Sequence, residues 1–254
     1  MRTGNITKYE NPLRDFLLFG WLAILENVSN TKKEGNGIKY RSTKRTKNGY
    51  IHVKDEVWQK KYFGKNKLQF VNTTLHNKYE QMIQDIHDAK YHVNNATSKV
   101  ITSENSNIKK FLTDEKITTI IFSPPYANSF DYFEIFKLEL WMGQFVHEYS
   151  DLRKLRKRGI GTLWQDATPL KCPEELVPTL DLLNSEELWS KKIKNMLITY
   201  FSKMDNTIQN CYETLQNNGK CVIVIGNSAY GNILIPTDLI FSNMAHDAGF
   251  KNIK

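Results

Sequence analysis

Two stretches of the chain carry an uninterrupted apolar pattern that ends in a polar turn. The first is Ile117–Phe122, a β-branched run closed at once by Ser123-Pro124-Pro125-Tyr126. Ile120, Ile121 and Phe122 follow one another without alternation, the pattern of a strand buried on both faces of a parallel sheet. Thr118 and Thr119 confine that expectation to the second half of the run. The second stretch, residues 220–228, contains Val222-Ile223-Val224-Ile225 and ends in Gly226-Asn227-Ser228. A shorter strand is expected over 98–102, with a helix over about 107–112 leading into the first run.

Apolar positions at helical spacing predict four longer helices. Over 11–28, Asn11-Pro12 supplies a cap and a first-turn proline, and Phe16, Phe19, Leu22 and Ala23 share a face. Over 73–91 the buried stripe is Leu75, Tyr79, Met82, Ile83 and Ile86. Over 186–216 it includes Trp189, Ile193, Leu197, Tyr200 and Ile208, with Asn218-Gly219 as the stop. The last helix, 237–248, is closed by Gly249-Phe250. Strands alternating with helices predict an α/β class with right-handed parallel crossovers. Residues 144–190 are irregular, and Pro169, Pro173 and Pro178 mark an extended connector.

Composition adds a partner. The chain has 254 residues, 40% hydrophobic and 24% charged, which suits a globular protein able to bury a core. Lys and Arg number 35 against 27 Asp and Glu, so the net charge of +8 favours a polyanion. Two basic clusters concentrate it. In the loop expected over 30–60, Lys44 and Arg45 stand among other Lys and Arg residues with Tyr40 and Tyr50 interleaved; this suits a nucleic-acid backbone, and equally a solvated loop. In the insertion 144–190, Arg153, Lys154, Arg156, Lys157 and Arg158 form the denser cluster, a DNA contact or a solvated helix face. Cys172, Cys211 and Cys221 show no metal spacing and no disulfide framework, which fits a reduced, cytoplasmic setting. No metal site is expected. The longest apolar stretch, 16–25, is too short to span a bilayer, so no membrane partner is expected either.

The prolines after the central strand act mechanically. Pro124 has a fixed φ, and Pro125 drives the ψ of Pro124 into the extended region. Pro124 restricts Ser123 in the same way. The Ser123 hydroxyl and the Pro124 carbonyl are thereby aimed as two acceptors with little freedom, an arrangement suited to an exocyclic amino group, and Tyr126 can cover a flat ring held there.

Ser-Pro-Pro-Tyr after a buried strand, continued by Ala127-Asn128-Ser129-Phe130-Asp131-Tyr132-Phe133-Glu134, resembles the catalytic motif of the DNA amino-methyltransferases. The resemblance implies a Rossmann-like methyltransferase fold with a mostly parallel sheet, S-adenosylmethionine as methyl donor, and double-stranded DNA as partner, as in restriction-modification systems. The Ser-first form points to N4 of cytosine ahead of N6 of adenine. It implies Ser123, Pro124, Pro125 and Tyr126 as the catalytic group, acting by direct displacement on a flipped-out base. By the same resemblance Glu104 or Asn105 would meet the donor's adenine, and Asn227 and Ser228 would lie near the substrate pocket. An ordinary helix cap and an ordinary turn account for these two pairs as well. The family's glycine-rich donor turn after a first strand is not found, so the chain reads as a single, incomplete catalytic domain over 1–254. One half of a split enzyme, completed by a companion polypeptide, is expected, or else a non-catalytic DNA-binding remnant; a degenerate donor site near the N-terminus is the third explanation. An RNA or protein methyltransferase with a similar loop is the other alternative.

Overall fold

The computed structural model describes residues 11–52, 54–88, 99–103, 108, 110–112, 117–165 and 170–254. The chain packs as two compact units. One spans Ile6–Val100 and Asp131–Arg153; the other contains Ile101–Phe130 and Lys154–Lys254.

The first unit opens with α1, Pro12–Val28. Asn11 Oδ1 accepts the Arg14 N–H at 3.0 Å and Pro12 needs no partner, so the expected cap is the one formed. Residues 30–60 are not a loop. They fold into the antiparallel hairpins β1–β2 (Thr31–Glu34, Gly37–Tyr40) and β3–β4 (Thr43–Thr46, Gly49–His52), then helix α2, Asp55–Phe63. Helix α3, Lys67–His87, begins six residues before the predicted position because Asn66 caps it, its Oδ1 accepting the Gln69 N–H. It packs on α1, where the Tyr79 ring fills the space beside Gly20 and its hydroxyl donates to the Leu17 carbonyl at 2.8 Å. The predicted stripe is not buried: Leu75, Tyr79 and Met82 are half-buried, and Ile83 and Ile86 are exposed, as is Phe19 of α1. Helices α4 (Tyr132–Ile135) and α5 (Lys137–Met142) follow the buried Asp131, whose Oδ1 accepts the N–H groups of Phe133 and Glu134.

The second unit carries the central strand. β5, Ile117–Phe122, pairs in parallel with β6, Leu215–Ile223, in the register Ile120↔Cys221 and Phe122↔Ile223. The basic helix α6 is Tyr149–Arg158, whose residues are divided between the two units. Then come α7 (Val177–Asn184), α8 (Ile193–Thr214), the hairpin β7–β8 (Ser228–Tyr230, Ile233–Ile235) and α9 (Thr237–Ala248). The core lies between α8, α9 and one face of the β5–β6 pair: Phe122, Ile223 and Ile225 pack against Leu197, Tyr200, Phe201 and their neighbours.

Several expectations are corrected. Among the described residues only β5–β6 is parallel; the other three pairs are antiparallel hairpins, so a mostly parallel sheet is not what these residues form. The central strand is covered on one face only, since Ile121 is 70% exposed and its β6 partner Val222 46%. Residues 99–102 form no strand, and Val100 among them is exposed; Ser98 lies outside the described residues. The helix predicted over 186–216 starts at Ile193, leaving Trp189 exposed before it, and stops at Thr214 because Leu215 turns extended and enters β6. Asn218, at φ 64°, sits inside the irregular part of that strand, where the register slips between Ile117 and Thr119. The last helix has its predicted bounds.

Candidate functional site

The Ser-Pro-Pro-Tyr loop leaves the carboxyl end of β5, the position at which open α/β sheets present ligand-binding groups. Beside it, β6 also ends. The Ser123 hydroxyl donates to the Val224 carbonyl at 2.9 Å, and the Val224 N–H donates to the Phe122 carbonyl at 3.0 Å. A hydroxyl has one proton and two lone pairs. With that proton directed at Val224, the exposed Ser123 Oγ offers its lone pairs outward. Pro124 is buried and Tyr126 half-buried. The Tyr126 ring runs along Gly226, where an added Cβ would stand 3.4 Å from the ring's Cε2.

The loop is fastened at its far side. Ala127 is fully buried, and its carbonyl accepts two hydroxyls, Ser228 Oγ and Tyr230 Oη, each at 2.9 Å. Burial pushes the Tyr230 phenol up to about 12, against a smaller opposing hydrogen bond with Ser129. Asn128 Oδ1 then accepts the Phe130 N–H at 3.1 Å, closing the turn. On a third side sits Gly161, buried at φ +75°; a Cβ there would stand 2.8 Å from the Tyr126 carbonyl and 3.3 Å from the Tyr200 ring. Residues 224–226, Ser228–Tyr230 and Gly161 therefore hold three residues of the loop, Ser123, Tyr126 and Ala127. What this arrangement can do is present a fixed acceptor and an aromatic ring to a planar ligand.

The sequence-predicted residues fall out as follows. Ser123, Pro124, Pro125 and Tyr126 stand together in the second unit, with Asn227 and Ser228 beside them. Ser228 is a clamp on the loop, and Asn227 Oδ1 accepts the Asp238 N–H at the start of α9. Both side chains thus have structural partners. Glu104 and Asn105 lie outside the described residues. Lys44 and Arg45 lie on β3, and Arg153, Lys154, Arg156, Lys157 and Arg158 on α6, whose last turn is basic and so complements the helix dipole. Much of the first basic cluster is engaged: Lys32 and Lys39 pair with Glu34, holding its carboxyl below the usual range, and Lys33 pairs with Glu139 at 2.5 Å. Lys33 also lies 4.0 Å over the Phe136 ring, at one wall of a cavity of about 360 Å³ that holds none of the predicted residues. Sequence reasoning missed Gly161, Tyr230, Val224 and the exposed Trp164. Only the left-handed glycine had a local signal, and Gly159-Ile160-Gly161 was legible merely as a glycine pair.

Among the described residues no group of three His, Cys, Asp or Glu could hold a metal, and no helix is long and apolar enough to cross a membrane.

The chain is similar to Type II methyltransferases. It is 26% identical over 266 residues to the Type II methyltransferase M.AvaI of Nostoc sp., an alignment covering 97% of this chain and 53% of the relative. The values for M.AvaI of Anabaena variabilis are the same. With the Type II methyltransferase M.BsoBI of Geobacillus stearothermophilus it is 25% identical over 285 residues, 98% of this chain and 55% of the relative. The chain spans about half the length of the curated relatives it matches. No family model matches it, and no solved structure does. The similarity agrees with the methyltransferase resemblance carried by Ser123-Pro124-Pro125-Tyr126.

Proposed function

We propose that this chain is the base-presenting part of an S-adenosylmethionine-dependent DNA methyltransferase of the restriction-modification kind, acting on an exocyclic amino group, N4 of cytosine ahead of N6 of adenine. The observation that carries the reading is the Ser123–Val224 hydrogen bond at 2.9 Å, which commits the hydroxyl proton and leaves Oγ an acceptor. An amino nitrogen conjugated with its ring is a poor nucleophile. Hydrogen bonds accepted from its N–H groups by Ser123 Oγ and the Pro124 carbonyl draw its lone pair out of conjugation. Both acceptors are held before the base arrives, so little reorganisation accompanies the reaction. Tyr126 stacks on the base, which must leave the duplex to reach the loop. Ser228, Tyr230 and Gly161 act on the substrate only through the loop they hold.

The described residues do not fit the donor. Gly35-Asn36-Gly37 follows β1 but is the turn of the β1–β2 hairpin, and Gly226 follows β6 but lies against Tyr126, so neither opens a helix as a donor turn would. We assign donor binding to a companion segment corresponding to the length of the relatives that this chain does not span. The bare face of β5–β6, with Ile121, Val222 and Val224 all exposed, is the surface on which such a segment would pack, because parallel strands are ordinarily covered on both faces.

The test is incorporation of labelled methyl groups from S-adenosylmethionine into duplex DNA, by the chain alone and with its companion, followed by nucleoside analysis. Ser123→Ala should lower incorporation by roughly 100-fold, the scale seen for removal of one preorganised polar group. Full incorporation by Ser123→Ala removes the assignment. Labelled N6-methyladenine moves the target, and labelled RNA alone moves the substrate class.

A further inference from the structure

Beyond the catalytic loop, the second unit presents one large aromatic side chain among cations. Trp164 is 56% exposed. The Arg156 guanidinium lies over its ring at 4.2 Å from the centroid, and Lys192 Nζ approaches to 6.0 Å. The loop that carries it is rigidly built. The Trp164 N–H donates to Oγ1 of the buried Thr162 at 3.2 Å. Gln165 Oε1 accepts the Gly161 N–H at 2.9 Å while its Nε2 donates to the Met196 carbonyl at 3.1 Å, tying the loop to α8. The same loop abuts the Tyr126 carbonyl through Gly161. The backbone around Trp164 is fixed in this way, yet its indole stands largely open to solvent beside the two cations.

From this we infer that Trp164, backed by Arg156 and flanked by Lys192, is a stacking platform for a DNA base adjacent to the one presented to Tyr126. The inference rests on the DNA reading above and adds a second base contact to it. The chemistry suits an unstacked base. Every base has a π-face that an indole can cover, and Arg156 and Lys192 supply positive charge beside the ring for the anionic backbone.

The test uses the whole chain and two fluorescein-labelled duplexes, one fully paired and one with a single mismatched base, titrated by anisotropy over a range of salt. Trp164→Ala should weaken binding to the mismatched duplex roughly ten-fold, the loss of about one base–aromatic stack, with the salt slope unchanged. Trp164→Phe should restore most of the affinity. Arg156→Gln should instead lower the salt slope by about one. Because the indole is exposed, Trp164→Ala should leave the urea midpoint unchanged, which separates a contact from a structural role. Equal binding of both duplexes by Trp164→Ala and the unaltered chain overturns the platform and leaves the DNA reading standing. Failure of the unaltered chain to bind either duplex overturns both, as does binding confined to single-stranded RNA.

Discussion

Replacing Gly161 by Ala tests whether the loop after α6 supports the Ser-Pro-Pro-Tyr loop. At φ +75° a residue with a Cβ bears a left-handed cost of about 1–2 kcal/mol. The added methyl would also stand 2.8 Å from a backbone oxygen, Tyr126 O, and 3.3 Å from the buried Tyr200 ring. Neither is the free end of a flexible side chain, so overpacking adds roughly 1–3 kcal/mol. The lost freedom of the unfolded chain returns about 0.4–1 kcal/mol, leaving a net destabilisation of about 1–4.5 kcal/mol, centred near 3. Gly231→Ala is the matched control in the same unit. Its φ is +61°, but the nearest atom is the Glu186 carboxylate, which can swing aside, so it should cost about 1 kcal/mol or less. With a urea m-value of about 2 kcal/mol/M, the two variants should differ in midpoint by roughly 0.5–1.5 M. Equal midpoints would refute the packing of Gly161 against Tyr126, and with it the claim that the α6–α7 connection positions the Ser-Pro-Pro-Tyr loop.

The other expectations rest on separate contacts. Tyr230→Phe removes one of the two hydroxyls on Ala127 O and should cost about 1 kcal/mol at neutral pH. The Tyr230 phenol is raised to about 12 from 10.0, so the folded state holds its proton more tightly; the unaltered chain should lose roughly 2–3 kcal/mol as pH rises from about 10 to about 12. Tyr230→Phe should lack that loss, and parallel pH profiles of denaturation midpoints would contradict it. The hydrogen bond from Cys211 lowers the Cys221 thiol, while that same pairing and burial raise Cys211, and burial followed by the Glu175 charge raises Cys172. Alkylation by iodoacetamide followed by peptide mapping should therefore modify Cys221 first; earlier labelling of Cys211 would reject the pairing. Finally, Ile121→Ala should change the stability of the chain by no more than about 0.5 kcal/mol. Phe122→Ala, on the covered face, should cost about 3 kcal/mol, and comparable costs would mean that both faces are packed.

Legibility in the sequence followed the range of the forces involved. Helices α1 and α9 and strand β5 were readable because a cap, an apolar period or a proline stop lies within the element itself. The hairpins over 31–52 were not, since strands such as Thr-Lys-Lys-Glu and Thr-Lys-Arg-Thr carry no apolar alternation; the first is turned at Gly35 and joined by the Lys39–Glu34 ion pair, the second reaches its turn at Gly49. The start of β6 hid behind Gln216-Asn217-Asn218-Gly219, polar residues that read as a helix stop and serve as an irregular strand. At the site, the Ser-Pro-Pro-Tyr run was visible as a covalent pattern. Its supports were not: Val224, Ser228 and Tyr230 lie about a hundred residues downstream and act through a carbonyl and two hydroxyls, which leave no periodic trace.

The one large disagreement between pattern and structure is itself informative. The apolar succession in β5 and β6 predicts cover on both faces, and the structure covers one. Were the second face meant for solvent, alternation would be expected, with polar residues at Ile121, Val222 and Val224 as there are at Thr119 and Lys220. The three apolar residues instead sit at the carboxyl ends of the strands, next to Ser123 and Gly226, while the polar ones lie further back. On the proposed function, a covering segment would pack where the Ser-Pro-Pro-Tyr loop begins. A donor-binding segment seated there would shield the Ser123 acceptor from water and bring its ligand to the edge of the loop that Val224, Tyr230 and Gly161 hold in place. Hydrophobic contact and catalytic assembly would then be a single event, and the isolated chain should present a bound base without being able to methylate it.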